Sequence, residues 1–408
     1  MLQLRPILST LRRHKTAALL IVLEIALTCA IVCNAVFLIA NRIERLHFAS
    51  GMADDELVHI EIHTIGRNAN TAPDTAADLA VLRAVDGVKS VAVLNQIPYN
   101  NNSNNSGANL APGQKVSTVV VSTYMSDAGA LDTLGLRLVA GRDFNADEVM
   151  EDRAFSDSAD PHLPAVIVTS ALAQRLYPGK NPIGQALYIF SDFPMRVVGV
   201  VDRFVRPTPR NADENDLYSA ILPVRQTFNG GLYVLRTDPA RRQAVLRAAL
   251  QALDHRDSQR VARESGTVTD LRTDWYRADV QMAWLLAGVC VALLVVTAFG
   301  IVGLASFWVQ QRTKMIGTRR ALGATRGQIL RYFQTENLLL TSAGIALGML
   351  GAFGVNQWLM TQYELPRLPA LYLPLGALLL WALGQVAVLA PARRAAALPP
   401  AHAMRGLA

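Results

Sequence analysis

The chain has 408 residues, enough for two or three folding units, and 51% of them are hydrophobic while 17% are charged. The net charge of +7 comes from segments flanking four apolar blocks, with 14 basic and 3 acidic residues, whereas residues 42–280 carry 25 basic and 29 acidic ones. This distribution is typical of a membrane protein and argues against a continuous basic surface, so we expect no nucleic-acid partner.

Each of the four apolar blocks is long enough to cross a bilayer as a helix, which takes about 20 residues. The blocks predict transmembrane helices at residues 16–40, 283–309, 338–360 and 371–390. A basic N-terminus, residues 1–15, precedes the first block, and no small-x-small cleavage site follows that block before Asn41. The first block is therefore interpreted as an uncleaved membrane anchor rather than a signal peptide.

The orientation of the spans follows from the basic residues in their flanks. Lys and Arg are concentrated in residues 1–15, in the segment 310–337 and in the tail 391–408, whereas the short loop 361–370 contains one arginine. With four spans, the three basic segments fall on one side, which the positive-inside rule assigns to the cytoplasm. We therefore expect a multi-pass protein of the bacterial inner (plasma) membrane, with both termini cytoplasmic and residues 41–280 in the periplasm.

The exported segment reads like an ordinary soluble protein with alternating strand-like and helix-like pieces. Strands are predicted at 58–63, 88–94, 165–169, 195–201 and 232–236, helices at 78–85 and 240–253, and loops at 100–107 and 147–160. The predicted fold is an integral membrane protein of four transmembrane α-helices. A large exported α+β domain, of one or two subdomains, is inserted between its first and second spans.

Candidate chemistry in the exported segment is sparse. His59, Glu61 and His63 would share one face of a strand, which fits either a metal site or a solvated polar face, and we favour the polar face. The sequence contains no GxSxG or HExxH motif, so we predict no catalytic residues and no metal site. Gly179-Lys180 lacks the flanking residues of a Walker A motif, so any ATP must be bound by another polypeptide.

The segment between the second and third spans is the most informative part of the sequence. It reads QQRTKMIGTRRALGATRGQILRYFQTENLLL from Gln310 to Leu340. Thr325 and Gln328 have capping-box spacing, which predicts a helix that starts at Arg326 and merges into the third span. Gly317 and Gly323 are expected to break the chain before it and produce a bent elbow, defined here as residues 312–324. Such an elbow is expected either as a basic loop that lies on the lipid surface or as a compact element that docks on another protein, and we favour the docking element.

At these residues the chain resembles the MacB/FtsX-like permeases of ABC transporters, whose corresponding loop has a pattern close to R-x-x-E-I-G-I-R-R-A-L-G-A. Further similar stretches lie, in the family's order, at 141–144 (GRDF), 178–184 (PGKNPIG), 197–202 (VVGVVD) and in the tail 391–405. The resemblance covers nearly the whole chain. One departure is Met315, which replaces the family's usual acid and would alter ATPase coupling if that acid contacts the ATPase or the arginines of the elbow.

The resemblance implies two paired permeases, as a homodimer or heterodimer, each resting by its elbow on a separate ABC ATPase subunit. ATP and Mg²⁺ would bind to the ATPase, so this chain is expected to bind no cofactor and to be no enzyme by itself. A periplasmic adaptor and an outer-membrane channel are candidate further partners. The contact with the ATPase would be made by six consecutive residues: Arg319, Arg320, Ala321, Leu322, Gly323 and Ala324.

Two intramembrane features accompany the elbow. Gly344, Gly348 and Ala352 form a stripe of small residues that permits close helix packing, either within one subunit or between two. Glu24 is an ionisable group inside the first span, and it should face protein or water because its burial in lipid is costly. Its expected partner is a polar group on another helix: Asn356, Gln357 or Gln385. A proton relay is disfavoured because no span carries a second acid.

The implied function is transmission of ATP-driven conformational change to the periplasmic domain, for efflux or export of a hydrophobic compound, a peptide or a lipoprotein. A protein of the same build could instead signal mechanically to an exported hydrolase or receptor without moving cargo. A third reading, a membrane-anchored enzyme with an exported catalytic domain, is weakened by the missing nucleophile or metal constellation.

Overall fold

The computed structural model describes residues 15–64, 71–158, 160–227, 231–257, 260–363, 369 and 372–397. The chain divides into two compact units. The helical unit comprises Met1–Ile43 and Asp279–Ala408, and the inserted unit comprises Glu44–Ala278. The basic N-terminus before Lys15, most of the predicted loop 361–370 and the tail after Ala397 lie outside the described residues.

Four helices within the described ranges are long and apolar enough to cross a membrane, and we number them as the first to fourth spans. They are Lys15–His47, Arg277–Gln311, Arg326–Trp358 and Tyr372–Ala397. The third of these helices continues to Tyr363. All four extend beyond the apolar blocks of the sequence because helical hydrogen bonding continues into the polar flanks. The predicted architecture is confirmed: four apolar helices with a large α+β domain between the first and second.

The spans pack around a shared apolar core that includes Ile25, Ile301, Leu340 and Leu380. The Thr28 and Thr297 hydroxyl groups hydrogen-bond at 2.8 Å between the first and second spans, and Arg42 forms an ion pair with Asp279. Large apolar side chains elsewhere on the spans are exposed, among them Phe299 at 72% and Leu350 at 73%. An apolar surface of this extent is suited to lipid rather than to water.

The inserted unit is built from strands and short helices. Its strands are β1 (Leu57–Thr64), β2 (Val88–Leu94), β3 (Asn105–Ala108), β4 (Val119–Ser126), β5 (Leu138–Gly141), β6 (Met150–Glu151), β7 (Ala165–Thr169), β8 (Ala186–Leu187), β9 (Met195–Val201), β10 (Ser219–Arg225), β11 (Gly231–Thr237) and β12 (Arg260–Thr267). Its helices are α1 (Thr71–Arg83), α2 (Ala130–Leu134), α3 (Asp152–Ser156), α4 (Ser170–Leu176), α5 (Arg242–Arg256) and α6 (Val268–Trp275).

Two sheets organise the unit. The first has the order β12-β1-β11-β2, and its neighbouring strands are antiparallel. Helices α1 and α5 cover one face of it through an apolar cluster that includes Leu82, Tyr233 and Val245. The second sheet follows the order β3-β4-β10-β7-β9-β5 and mixes parallel and antiparallel pairs, with β6 beside β10 and β8 beside β9.

A single apolar core joins the two sheets. Leu94 and Val234 contribute from the first sheet, and Ile167 and Ile221 contribute from the second. Tyr124 is fully buried in this core. Its ring stacks on the ring of Phe204, and its hydroxyl group donates to the carbonyl oxygen of Val205 at 2.6 Å. Because one core serves both sheets, the inserted unit is held together as one body.

Several predicted elements form with the predicted bounds, among them β2, β7 and β9. Three sequence-based predictions about loops and chain breaks were wrong. The loop predicted at 100–107 contains the start of β3, because a polar edge strand gains its backbone hydrogen bonds from β4. The loop predicted at 147–160 contains β6 and α3, since strand pairing with β10 orders its start. Gly317 does not break the chain and lies buried within the helix Thr313–Ala321.

Candidate functional site

The elbow is a short helix followed by a tight reversal. The helix Thr313–Ala321 begins just after Arg312 and is capped at Leu322. The amide of Ala324 donates to the carbonyl of Arg319, and the amide of Gly323 donates to that of Arg320. These paired hydrogen bonds form a Schellman motif, which requires a left-handed residue after the cap. Gly323 supplies it with a φ of +94°.

A capping box starts the next helix, as the sequence predicted. The backbone amide of Gln328 donates to Thr325 Oγ1 at 3.3 Å, and the backbone amide of Thr325 donates to Gln328 Oε1 at 2.9 Å. The helix then runs without interruption from Arg326 to Tyr363. The elbow is therefore connected directly, through a fixed turn, to the third span.

The inner side of the elbow is packed against the ends of the spans. Ile316 is buried in an apolar cluster with Val309 of the second span, Phe333 of the third and Ala392 of the fourth. This packing explains why Gly317 stays helical. A single glycine lowers helix stability by about 1 kcal/mol, which the buried cluster around it can offset.

The two arginines of the motif are engaged within the chain. The Arg319 guanidinium lies 4.9 Å from the centroid of the Tyr332 ring. Arg320 Nη1 donates to the carbonyl oxygen of Ala396 at 2.7 Å, at the C-terminal end of the fourth-span helix, where a cation is favourable. Both contacts tie the end of the elbow helix to other helices of the same unit.

The outward side of the elbow presents a different set of residues. Lys314, Thr318, Ala321 and Leu322 are exposed and lie on one face at helical spacing. Leu322 is 83% exposed, at the tip of the reversal. The tip of the elbow therefore presents an exposed apolar side chain on a turn of fixed backbone geometry, beside the exposed Lys314 and Thr318.

Comparison with known families identifies the two units. The family model of the MacB-like periplasmic core domain matches residues 19–253. The family model of the FtsX-like permease C-terminal domain matches residues 287–400, which include the elbow. The chain belongs to the MacB/FtsX-like permease family. This membership, together with the four apolar helices, identifies a multi-pass membrane protein of the permease type.

Relatives of this permease include the macrolide export ATP-binding/permease protein MacB of Agrobacterium fabrum, at 26% identity, covering 71% of this chain and 44% of MacB. The uncharacterized ABC transporter permease YvrN of Bacillus subtilis is 23% identical, with 69% of each chain covered. The crystal structure of the periplasmic region of MacB from Actinobacillus actinomycetemcomitans matches at 14% identity and a TM-score of 0.33, covering 55% of this chain and 94% of that one. The permease therefore spans less than half the length of the MacB protein from A. fabrum.

The small-residue stripe of this permease lies against the first span of the same chain. A Cβ at Gly344 would be 2.8 Å from Ile25 Cβ, and one at Gly348 would be 2.6 Å from the carbonyl oxygen of Ala26. Asn34 Nδ2 of the first span donates to the carbonyl oxygen of Ala352 at 3.2 Å. The stripe thus brings the backbones of the first and third spans into direct contact.

Glu24 faces the second span rather than the polar residues expected to meet it. Its carboxylate lies where a Cβ on Gly300 would be, so the glycine makes room for it. Gln385, one of the expected partners, donates instead to the carbonyl oxygen of Gln334 at 3.4 Å. One turn away, the hydrogen-bonded Thr28 and Thr297 continue the polar contact between the same two spans.

The three polar side chains of β1 are separated by their surroundings. His59 is buried, and burial lowers its pKa to about 4 against the opposing effect of Glu61. His63 Nε2 and Glu61 Oε1 are 3.0 Å apart at the partly exposed end of the strand. Across the residues that the structure describes, no group of three or more His, Cys, Asp or Glu side chains could hold a metal ion.

An open cavity of about 420 Å³ lies in the inserted unit, lined in part by Asp54, Arg137, Asp202 and Arg272. Its charged walls are largely paired: Arg272 donates to Asp54 at 2.9 Å, and Arg137 donates to Asp202 at 2.7 Å. Arg272 also donates to the carbonyl oxygens of Leu46 and Phe48, which fixes the chain before β1. These contacts give the cavity wall a structural role.

One pair of functional candidates was missed from the sequence. Arg312 and Glu336 form a buried ion pair, with 2.7 Å between Arg312 Nη1 and Glu336 Oε2. A signal was available, because Glu336 stands alone among six basic residues in the segment 310–337. An acid at the start of a span is commonly paired with another ionisable group, and the basic residues nearby were the candidates.

Proposed function

We propose that this permease carries the ATP-driven movement of a separate ABC ATPase subunit, through its elbow, to the exported domain. In this proposal two permeases pair, Mg²⁺ and ATP bind to the ATPase, and both termini and the elbow lie in the cytoplasm of a bacterial cell with the permease in its inner membrane. A periplasmic adaptor and an outer-membrane channel would extend the assembly outward.

The observation that carries the proposal is the construction of the elbow. Leu322 is presented outward on a turn whose backbone is fixed by the Schellman motif and the capping box. Behind it, Ile316 and Arg320 join the elbow to the second, third and fourth spans. A force applied at Leu322 is therefore delivered to three helix ends instead of being absorbed by a loose loop.

The proposal changes the residues expected to touch the ATPase. Arg319 and Arg320 contact Tyr332 and Ala396 of this chain, which favours a supporting role for their side chains. The outward face of Lys314, Thr318, Ala321 and Leu322 is the surface that we propose for the ATPase. Met315, which replaces the acid usual in the family, is only partly exposed between the two faces.

For cargo, we propose export or efflux of a hydrophobic compound, a peptide or a lipoprotein. The proposal is supported by the family and by the name of the A. fabrum relative, a macrolide export protein. The described part of the inserted unit offers no paired nucleophile and base, so its contribution would be movement and binding rather than chemistry.

Exchange of the leucine at the tip tests the docking surface. In an affinity-tagged chain purified from its native host, Leu322→Glu should lower the recovery of an ABC ATPase subunit, identified by its Walker A sequence, at least tenfold. The substitution replaces an apolar contact with a buried, unpaired carboxylate, and a loss of about 1.4 kcal/mol of binding free energy corresponds to that factor. The readout is quantitative mass spectrometry normalised to the amount of permease.

Leu110→Glu is the matched control, because Leu110 is also an exposed leucine, 42% accessible, but lies in the inserted unit. It should leave ATPase recovery unchanged. Equal recovery with Leu322→Glu and with the wild type would contradict the docking role of the elbow tip.

A further inference from the structure

A buried ion pair connects the start of the elbow with the third span. Arg312 is the residue between the second-span helix, which ends at Gln311, and the elbow helix, which begins at Thr313. Its Nη1 donates to Glu336 Oε1 at 2.9 Å and to Glu336 Oε2 at 2.7 Å. The side chains are 6% and 2% exposed, so two opposite charges meet out of contact with solvent.

The geometry of this pair leaves part of its bonding capacity unused. One guanidinium nitrogen serves both carboxylate oxygens, while Arg312 Nη2 is buried without a hydrogen-bond partner among the described residues. A guanidinium and a carboxylate interact most strongly when two nitrogens face two oxygens. A small displacement of Arg312 relative to Glu336 would therefore exchange the present geometry for the two-nitrogen one.

The surroundings of the pair are also incompletely bonded. Three neighbouring polar atoms are buried without partners in the described parts of the chain: Trp308 Nε1, Asn337 Nδ2 and Thr341 Oγ1. Most buried polar atoms of a native protein are hydrogen-bonded, so four such atoms in one place set this region apart from an ordinary core. Such atoms can be hydrogen-bonded by water or by groups that approach in another arrangement of the helices.

A cavity of about 10 Å³ adjoins the cluster and is lined from all four spans, including Ile21, Ala305, Glu336 and Val388. Such a space holds one water molecule at most, and it leaves room for side chains to shift. The fourth span also touches the cluster, because a Cβ at Gly384 would be 3.0 Å from Thr341 Oγ1. The cluster is therefore in contact with all four spans.

We propose that Arg312 and Glu336 form a latch that transmits displacement of the elbow to the third span, by changing between the single-nitrogen and two-nitrogen geometries. The inference rests on the proposed function, since it assumes that an ATPase moves the elbow. If this contact served only to hold the helices together, buried charges would not be needed. Well-packed apolar residues of similar size commonly stabilise a core equally well. Arg312 and Glu336 act here as positioning residues.

The test compares three chains, each purified with its ABC ATPase and placed in lipid nanodiscs: the wild type, Glu336→Gln, and the charge-swapped Arg312→Glu/Glu336→Arg. Hydrogen–deuterium exchange is measured with and without ATP at two segments, the elbow at 313–324 and the outer part of the third span at 344–358. Recovery of the ATPase is measured on the same samples.

In the wild type, ATP should change exchange in both segments. In Glu336→Gln, ATPase recovery should stay within twofold of the wild type, and so should the ATP-dependent change in exchange at 313–324. The ATP-dependent change in exchange at 344–358 should fall at least fivefold. The charge-swapped chain should regain at least half of the change at 344–358. A structural defect alone would raise exchange with and without ATP equally, and it would not separate the two segments.

An ATP-dependent change at 344–358 that is equal in Glu336→Gln and the wild type would overturn the latch. If the wild type binds no ATPase, or its elbow does not respond to ATP, the proposed function fails and the latch fails with it, which is a distinct result. Should Glu336→Gln not insert, Glu336→Asp replaces it. That variant keeps the charge but is one methylene shorter, so its ATP-dependent change in exchange at 344–358 should be smaller than that of the wild type. A change equal to that of the wild type would overturn the latch.

Discussion

Single side chains decide which face of the elbow is presented to a partner. Arg320 is bound to the carbonyl oxygen of Ala396, and Arg319 lies over the Tyr332 ring, so the two arginines of the motif hold the elbow in place. Leu322 is left at the tip because Gly323 turns the backbone through the left-handed region directly after it. The proposed contact surface thus depends on a residue that itself has no side chain.

The role of the left-handed turn at Gly323 can be tested by substituting alanine, which adds one methyl group. Gly323→Ala should destabilise the elbow by about 1 kcal/mol, since the left-handed conformation costs an L-residue roughly that amount. Amide exchange of residues 319–325 should accelerate about fivefold, the factor that corresponds to this free energy. Hydrogen–deuterium exchange of the full chain in detergent measures the effect.

Gly327→Ala is the control for this exchange, because Gly327 lies in a helix with open space around an added Cβ. Alanine is the better helix former, so this variant should leave exchange unchanged or slow it. Equal acceleration in the two variants would contradict the role assigned to the turn.

The motif in the sequence indicated the position of the elbow, but not the environment of its side chains. Thr325 and Gln328 could be predicted as a capping box because both partners lie within four residues of each other. The engagement of Arg320 could not, because its acceptor, Ala396, lies 76 residues further along the chain. Contacts of that separation depend on how the spans pack, which local patterns do not contain.

At the scale of elements, the first and third spans are joined by backbone contact. Gly344 and Gly348 lie against Ile25 and Ala26, while Asn34 donates to the carbonyl oxygen of Ala352 at the C-terminal end of the stripe. Small residues allow such an approach, in which van der Waals contacts and weak polar contacts replace the hydrophobic effect that drives packing in water. The pair is therefore expected to move as one body when the elbow moves.

A larger side chain in the stripe should separate this pair of helices. Gly348→Val should lower the melting temperature of the protein in detergent by roughly 5 °C, because overpacking a tight contact costs about 1–3 kcal/mol. The added side chain would meet the carbonyl oxygen of Ala26, which belongs to the helix backbone and cannot rotate away.

The same exchange at Gly354 provides the comparison, since nothing lies within 4 Å of a Cβ there. Gly354→Val should change the melting temperature by less than about 1 °C, the scale of an exposed substitution. If Gly348→Val is tolerated equally well, the close contact of the first and third spans is wrong.

Secondary structure in the inserted unit was predicted at several runs of β-branched residues, but β4, which carries the run VVVST, was not predicted. Residues 88–94, 165–169 and 195–201 are rich in valine, which fits the buried, pleated surface of a sheet, and these strands form with the predicted bounds. β3 and β6 were missed because they are short and polar and are ordered by pairing with β4 and β10. The pairing of distant strands is set by the shared core rather than by local sequence.

At the scale of the whole molecule, the distribution of charge separates two kinds of surface. The segments around the spans carry a net charge of +11, and residues 42–280 carry −4. The sequence alone was sufficient to predict the membrane class and the position of the inserted domain, because a bilayer imposes length and charge rules that a soluble fold does not. The proposed function requires the elbow to be cytoplasmic, and with four spans this places the inserted unit on the opposite side of the bilayer.

That arrangement is tested most directly by labelling single cysteines. Asn101→Cys in the inserted unit and Leu322→Cys at the elbow tip are both exposed positions, and the native Cys29, Cys33 and Cys290 are buried. In intact spheroplasts, a membrane-impermeant maleimide should label Asn101→Cys at once and should label Leu322→Cys only after permeabilisation. Labelling of both positions in intact spheroplasts, or of neither, would contradict the account.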